Sequence, residues 1–330
     1  MAKTKTDGYG NYKGTAEDRD LILGSLPPIA GTWYFVDPTD GLAANDGLAP
    51  GSAKSSIEDA YDLCTSGKGD GICVFSRGTS TAGTTSYLTD TITWSKHGIT
   101  VQGVCSGGYY NQRARISTSE TDLVSLLNIT GANNRFYNLC FYNGADISVA
   151  QMCAVKLSGG AVRNAFVNCD FKGSPATASA YKSDLWLSGA HENEFIGCNF
   201  GNASYDAGNN AACHIFIDGA SGNGQNKFVD CTMIAQVSTG TAFAGLKSGS
   251  DTSLNGLMFF INLVGGAWQA NANKIALASW FIGTKPTTGL VVVKNPGVGG
   301  YAAWDSVGGN DCINVIGATD AATAGVGALP

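Results

Sequence analysis

Charge is scarce in this chain: Asp, Glu, Lys and Arg make up 14% of its 330 residues, and the net charge is −6. That composition excludes a disordered, highly charged tail and does not suit a charge-laced helical protein. Lys and Arg never gather into a run, so nucleic acid is not an expected partner. There are three His, and none of the ten Cys forms a Cys-x-x-Cys pair. Zinc-ligand spacing is therefore missing, and neither metal nor cofactor is expected. A phosphate-cradling Gly-x-x-x-x-Gly-Lys-Ser/Thr loop is also missing. No apolar run reaches the ~18 residues of a membrane-spanning helix, so no membrane is expected either. The opening Met1-Ala-Lys-Thr-Lys-Thr6 lacks the apolar core of a secretory leader. The expectation is a soluble chain folded in a reducing cytoplasm, with its Cys used as buried, free, small apolar fillers.

What the chain has is Gly, 45 residues of it, and one phrase that returns. Asn134-Arg-Phe-Tyr-Asn-Leu-Cys-Phe141 recurs as Asn164-Ala-Phe-Val-Asn-Cys-Asp-Phe171, as Asn193-Glu-Phe-Ile-Gly-Cys-Asn-Phe200 and as Asn226-Lys-Phe-Val-Asp-Cys-Thr-Met233. The first Phe of each copy stands at 136, 166, 195 and 228, in steps of 30, 29 and 33 residues. Self-similarity at such a period marks a solenoid. Each copy follows a segment of alternating polarity that ends in Gly: Leu127 to Gly131, Val155 to Gly159, Leu185 to Gly189 and Ile215 to Gly219. Period-two alternation means a strand with one buried face, and the Gly supplies a turn.

Within the phrase, apolar residues fall at offsets 0, 3 and 5 from the first Phe, where a flat strand would give 0, 2 and 4. The surplus residue implies a corner, occupied by Asn138, Asn168, Gly197 and Asp230 in turn. Three short strands per turn with Gly and Asn corners give an all-β fold, a parallel β-helix with coils stacked ~4.8 Å apart. Its inward column at offset 3 should read Leu139, Cys169, Cys198, Cys231. On these repeats, from Asn134 to Met233, the chain resembles the pectate-lyase-like family of right-handed single-stranded parallel β-helices. The resemblance implies the fold. The family holds polysaccharide lyases and hydrolases, phage tailspikes and non-enzymatic virion proteins.

Around the repeats, residues 1–30 read as an extended arm. Tyr9, Tyr12, Leu21, Ile22 and Leu23 could order on another protein as an anchor, or the arm could be a frayed terminus. Residues 31–79 form an opening unit with a strand at 32–36, dense turns, and a helix. Ser55 and Glu58 suggest a capping box, and Ile57, Ala60, Tyr61 and Cys64 suggest one buried helical face. This order looks like the start of many pectate-lyase-like chains, where the helix caps the first coil. Coils are expected over 80–295, with a protruding loop through 107–115, and a C-terminal segment or tail over 296–330.

Chemistry is sparse. Asp170, Asp218 and Asp230 each share a column with neutral residues, while Asp184 is adjacent to His214 on the next coil. Asp184, His214, Asp170 and Asp218 are the candidate acids and bases should the chain cleave a glycosidic bond. No polygalacturonase-like Asp pairing or Arg-rich lyase motif is present, so no catalytic residue is carried over from the family. His97 and His191 stand alone. Trp186 and Phe216 stack in an outward column and could meet a host-surface glycan. Tyr137, Val167, Ile196 and Val229 form a second apolar column, which lies outside unless the corner turns it inward. Left outside, it would be covered by identical neighbours. The expected role is a virion structural protein of a bacteriophage: a homotrimeric β-helical decoration protein, head fibre or spike, attached to a capsid or other virion protein through residues 1–30. Alternatives are a tailspike-like polysaccharide depolymerase and a non-catalytic glycan-binding module.

Overall fold

The computed structural model describes residues 26–76, 85–104, 114–118, 120, 122–144, 151–173, 181–206, 212–219, 222–237, 243–269, 277–284, 286–305 and 313–316. Among these the chain winds as a right-handed parallel β-helix. Three parallel sheets of ten, eight and eight strands run along it. The long, ten-stranded sheet begins with Trp33–Val36, Gly71–Phe75 and Thr100–Val104. It continues through the first half of every phrase, Arg135–Tyr137, Ala165–Val167, Glu194–Ile196 and Asn226–Val229. A second sheet takes the other half of each phrase, and a third takes the alternating segments such as Gln151–Ser158 and Tyr181–Ser188.

The corner between the first two sheets is a left-handed residue, as the surplus position requires. Asn138, Asn168, Gly197 and Asp230 have φ of 56°, 55°, 59° and 52°, and Asn262 and Asn295 continue the column at 54° and 51°. Asn, Asp and Gly are the residues that enter this region most cheaply. Their side chains also join: Asn168 Nδ2 donates to Asn138 Oδ1 at 3.1 Å, and Asn262 Nδ2 to Asp230 Oδ1 at 2.8 Å.

Inside, like residues lie on like. Phe136, Phe166, Phe195, Phe228 and Phe260 stack with ring centroids 4.7, 5.1, 4.6 and 4.6 Å apart and nearly parallel planes. Phe141, Phe171 and Phe200 form a second pile whose edges meet the first. Leu139, Cys169, Cys198 and Cys231 are all buried in the same core. Each thiol donates to a carbonyl one coil back, Cys198 Sγ to Phe166 O at 3.3 Å, for example. The Asn that opens each phrase is buried too. Asn164 Oδ1 accepts the Asn134 backbone N–H at 2.9 Å, while Asn164 Nδ2 donates to Asn193 Oδ1 at 3.0 Å. These bonds satisfy turn amides that would otherwise be buried without partners.

In the opening unit the helix, α1 (Ile57–Leu63), buries Ile57, Ala60 and Tyr61, with Cys64 buried behind it. Its cap is shifted one residue from the expected Ser55/Glu58 box. Ser56 Oγ accepts the Asp59 backbone N–H at 3.1 Å and donates to Asp59 Oδ2 at 2.8 Å. Ser55 and Ser56 stand side by side, and Ser56 is the residue that caps the helix. Tyr61 meets Trp94 at 4.2 Å and Trp94 meets Phe136 at 5.3 Å, which joins α1 to the aromatic pile. Two expectations need correction. Ala114 and Arg115, expected at the end of a loop, open the strand Ala114–Thr118 of the second sheet, and beyond 295 the sheets gain Gly297–Gly299, Tyr301–Asp305 and Ile313–Ile316. The proposed anchor residues Tyr9, Tyr12, Leu21, Ile22 and Leu23 lie outside the described residues.

Candidate functional site

With Phe at offset 0 pointing inward, alternation turns offset 1 outward. Tyr137 pairs with Val167, Val167 with Ile196, Ile196 with Val229 and Val229 with Ile261, one above the other on the long sheet. All five are half-buried, so the corner does not fold them into the core. Beside them runs a second outward column, Arg135, Ala165, Glu194, Lys227 and Phe259, in which Lys227 Nζ bonds Glu194 Oε1 at 3.0 Å. Towards the first coils the same column passes through Gln102 to Cys73 and Phe35. Phe35 and Cys73 are buried there beneath Leu26 and Ala53 of the chain itself. Ile261 and Phe259 were missed as members of this surface. The signal was present in Leu257-Met-Phe-Phe-Ile261, which keeps the alternation but lacks the opening Asn.

The candidate acids are placed differently. Asp184 Oδ2 lies 2.7 Å from His214 Nδ1, so the expected pair forms, and Asp184 Oδ1 accepts the Gly173 N–H at 2.6 Å. Both side chains are nonetheless buried: His214 stands edge-on to Phe243 at 4.9 Å, and its Nε2 makes no hydrogen bond. Gly201 is required beside it, because a Cβ there would stand 2.5 Å from His214 Cε1. An Asp–imidazole pair can hold a proton-transferring nitrogen in place, but here that nitrogen faces packed protein. Asp170 is fully buried and accepts from Asn199 Nδ2 at 2.8 Å, with Lys172 Nζ 3.9 Å away. Asp218 accepts the Trp186 indole N–H at 2.9 Å. Each acid thus ties neighbouring coils together. His97 and His191 each accept a backbone N–H, from Ala132 and Gly224.

Trp186 and Phe216 do stack on the outward side of the third sheet, but they are buried, not presented. They pack with Cys153, Cys213 and Ala244 in a cluster separate from the main core. Lys156 Nζ lies 3.6 Å from the centre of the Trp186 ring, an added cation–π contact. Alternation correctly gave their direction but could not reveal the cover. Among the described residues no group of three or more His, Cys, Asp or Glu is arranged to hold a metal ion. No helix among them is long and apolar enough to cross a membrane.

Similar folds occur among carbohydrate-active proteins. A rhamnogalacturonan lyase superposes with a TM-score of 0.56 at 14% identity, over 87% of this chain and 73% of that one. A pectin methylesterase variant solved with a hexasaccharide gives 0.53 at 14% identity, over 84% and 82% of the two chains. A pectin methylesterase from Aspergillus niger gives 0.53 at 17% identity, over 88% and 85%. The parallel β-helix read from the repeats is thus the fold this chain shares with them, and identity this low speaks for fold alone. No protein-family model matches the sequence, and no curated protein does.

Proposed function

We propose that this chain is a structural protein of a bacteriophage virion, a trimeric β-helical decoration protein, head fibre or spike held to a capsid or other virion protein through residues 1–30. One observation carries the reading: the outward apolar column from Tyr137 to Ile261 stays half-exposed along the long sheet. Burying such a column between copies removes apolar area from water, at roughly 25 cal/mol per Å². The buried, engaged state of Asp170 and Asp184 further supports a contact role over a catalytic one. The virion assignment itself rests on the family resemblance of the repeats. Sedimentation of the purified chain tests the assembly, with a trimer expected. A stable monomer would remove this explanation of the column.

A second reading draws on the Asp184–His214 contact at 2.7 Å and on a fold shared with pectin methylesterases and a rhamnogalacturonan lyase. It makes the protein a polysaccharide lyase or hydrolase. Incubation with acidic and neutral polysaccharides distinguishes the two: release of new ends, abolished by Asp184→Asn, favours the enzyme and displaces the structural role.

A further inference from the structure

On the outward side of the second sheet, three side chains of different chemistry meet across two coils. Asp170 and Lys172 stand two residues apart on one strand, and Asn199 lies opposite Asp170 on the next. Asp170 Oδ1 accepts from Asn199 Nδ2 at 2.8 Å, and Asp170 Oδ2 lies 3.9 Å from Lys172 Nζ. The carboxylate is therefore the common neighbour of an amine and a carboxamide. Lys172 and Asn199 are diagonal across the paired strands, roughly 8 Å apart at the backbone, a span that a lysine side chain covers. Little water reaches the group. Asp170 is fully buried, Asn199 nearly so, and the Lys172 side chain is 12% exposed. Along the same column, Cys140 before Asp170 and Thr232 after Asn199 are buried too, and bring neither amine nor amide.

We propose that Lys172 and Asn199 become joined by an isopeptide bond between neighbouring coils, with Asp170 moving the protons. Asp170 takes a proton from the Lys172 ammonium. The freed amine adds to Asn199 Cγ, and the Cγ–Nδ2 bond breaks. Asp170 hands its proton to Nδ2, the atom it already holds, and accepts one from the new amide nitrogen. One ammonium and one carboxamide go in; one substituted amide and one ammonium come out, without a co-reactant. One amide replaces another, and dilution of the released ammonium draws the exchange forward. The step occurs once per chain, so the proximity supplied by the fold need not make it fast.

The inference does not depend on the virion reading. Mass spectrometry of the purified full-length chain tests it. The intact mass should fall below the sequence mass by one ammonia. Trypsin should fail to cut after Lys172, and the digest should hold a branched peptide joining the segment with Lys172 to the segment with Asn199. Lys172→Arg and Asp170→Asn should each abolish the branch and restore the full mass. Lys172→Arg, which keeps the charge, should also melt at a lower temperature than the parent. A parent chain of full mass with a linear Lys172 peptide overturns the proposal, as does an ammonia loss that persists in Lys172→Arg. It is also overturned if Asp170→Asn, folded by circular dichroism, still forms the branch.

Discussion

The corner ladder shows how much one side chain can matter. Gly197 leaves a gap in it: its φ is +59°, and a Cβ there would meet nothing within 4 Å. Asn is at ease in this conformation, so Gly197→Asn should restrict the unfolded chain and extend the amide ladder to Asn168. On its other side the new carbonyl would face the Asp230 carboxylate, acceptor against acceptor. The expected result is little gain from Gly197→Asn alone and about 0.5–1 kcal/mol when Asp230→Asn is added. Urea unfolding of the single and double variants checks it, and strict additivity would contradict the ladder. The corner was legible because its backbone admits so few residue types. The interior Asn column was not read as a buried network, because a small polar residue at a turn looks alike from either side.

The thiols make a second prediction at this scale. Burial pushes Cys64 up to about 12 and also raises Cys73, Cys153, Cys198 and Cys213. In the unfolded chain a thiol ionises near 9, so the folded state holds its protons more tightly. The stabilisation is whole below pH 9 and is lost as pH rises towards the folded values, by up to about 1.4 kcal/mol per unit for each thiol. Denaturation midpoints at pH 8 and pH 10 measure it. Cys198→Ala should flatten the slope, and an unchanged slope would show that thiol ionisation is not its source.

At the scale of elements, the rungs were legible because each repeats the same inward residues. Phe195 packs between Phe166 and Phe228, with Phe171 and Phe200 at its edges. Phe195→Ala should cost about 3–5 kcal/mol, the usual range for emptying such a site. Calorimetry that found a loss below 1 kcal/mol would contradict the stacked core. The third sheet was harder. Its outward side was read as open, yet Trp186 and Phe216 are buried, because what covers a sheet need not follow the period of the sheet. The helix offers the opposite lesson: its buried face was read correctly, while its cap slipped by one residue between two adjacent Ser.

For the whole molecule, inward residues specify the winding and outward residues specify the use. The inward residues repeat in every coil, whereas much of the outward face, such as Arg135, Ala165, Glu194, Lys227 and Phe259, does not, which is why architecture was far plainer than role. If copies associate along the long sheet, Ile196→Asp with Val229→Asp should convert the proposed trimer to monomer without lowering the melting temperature of each chain by more than a few degrees. Light scattering alongside calorimetry separates loss of assembly from loss of fold. The stacking has one more consequence. Ten strands at the interstrand spacing span roughly 45 Å, and each rung rests only on the one before and the one after. Such an array comes apart from its ends, like a zip, so a lesion in a middle coil is shielded by its neighbours until unravelling reaches it.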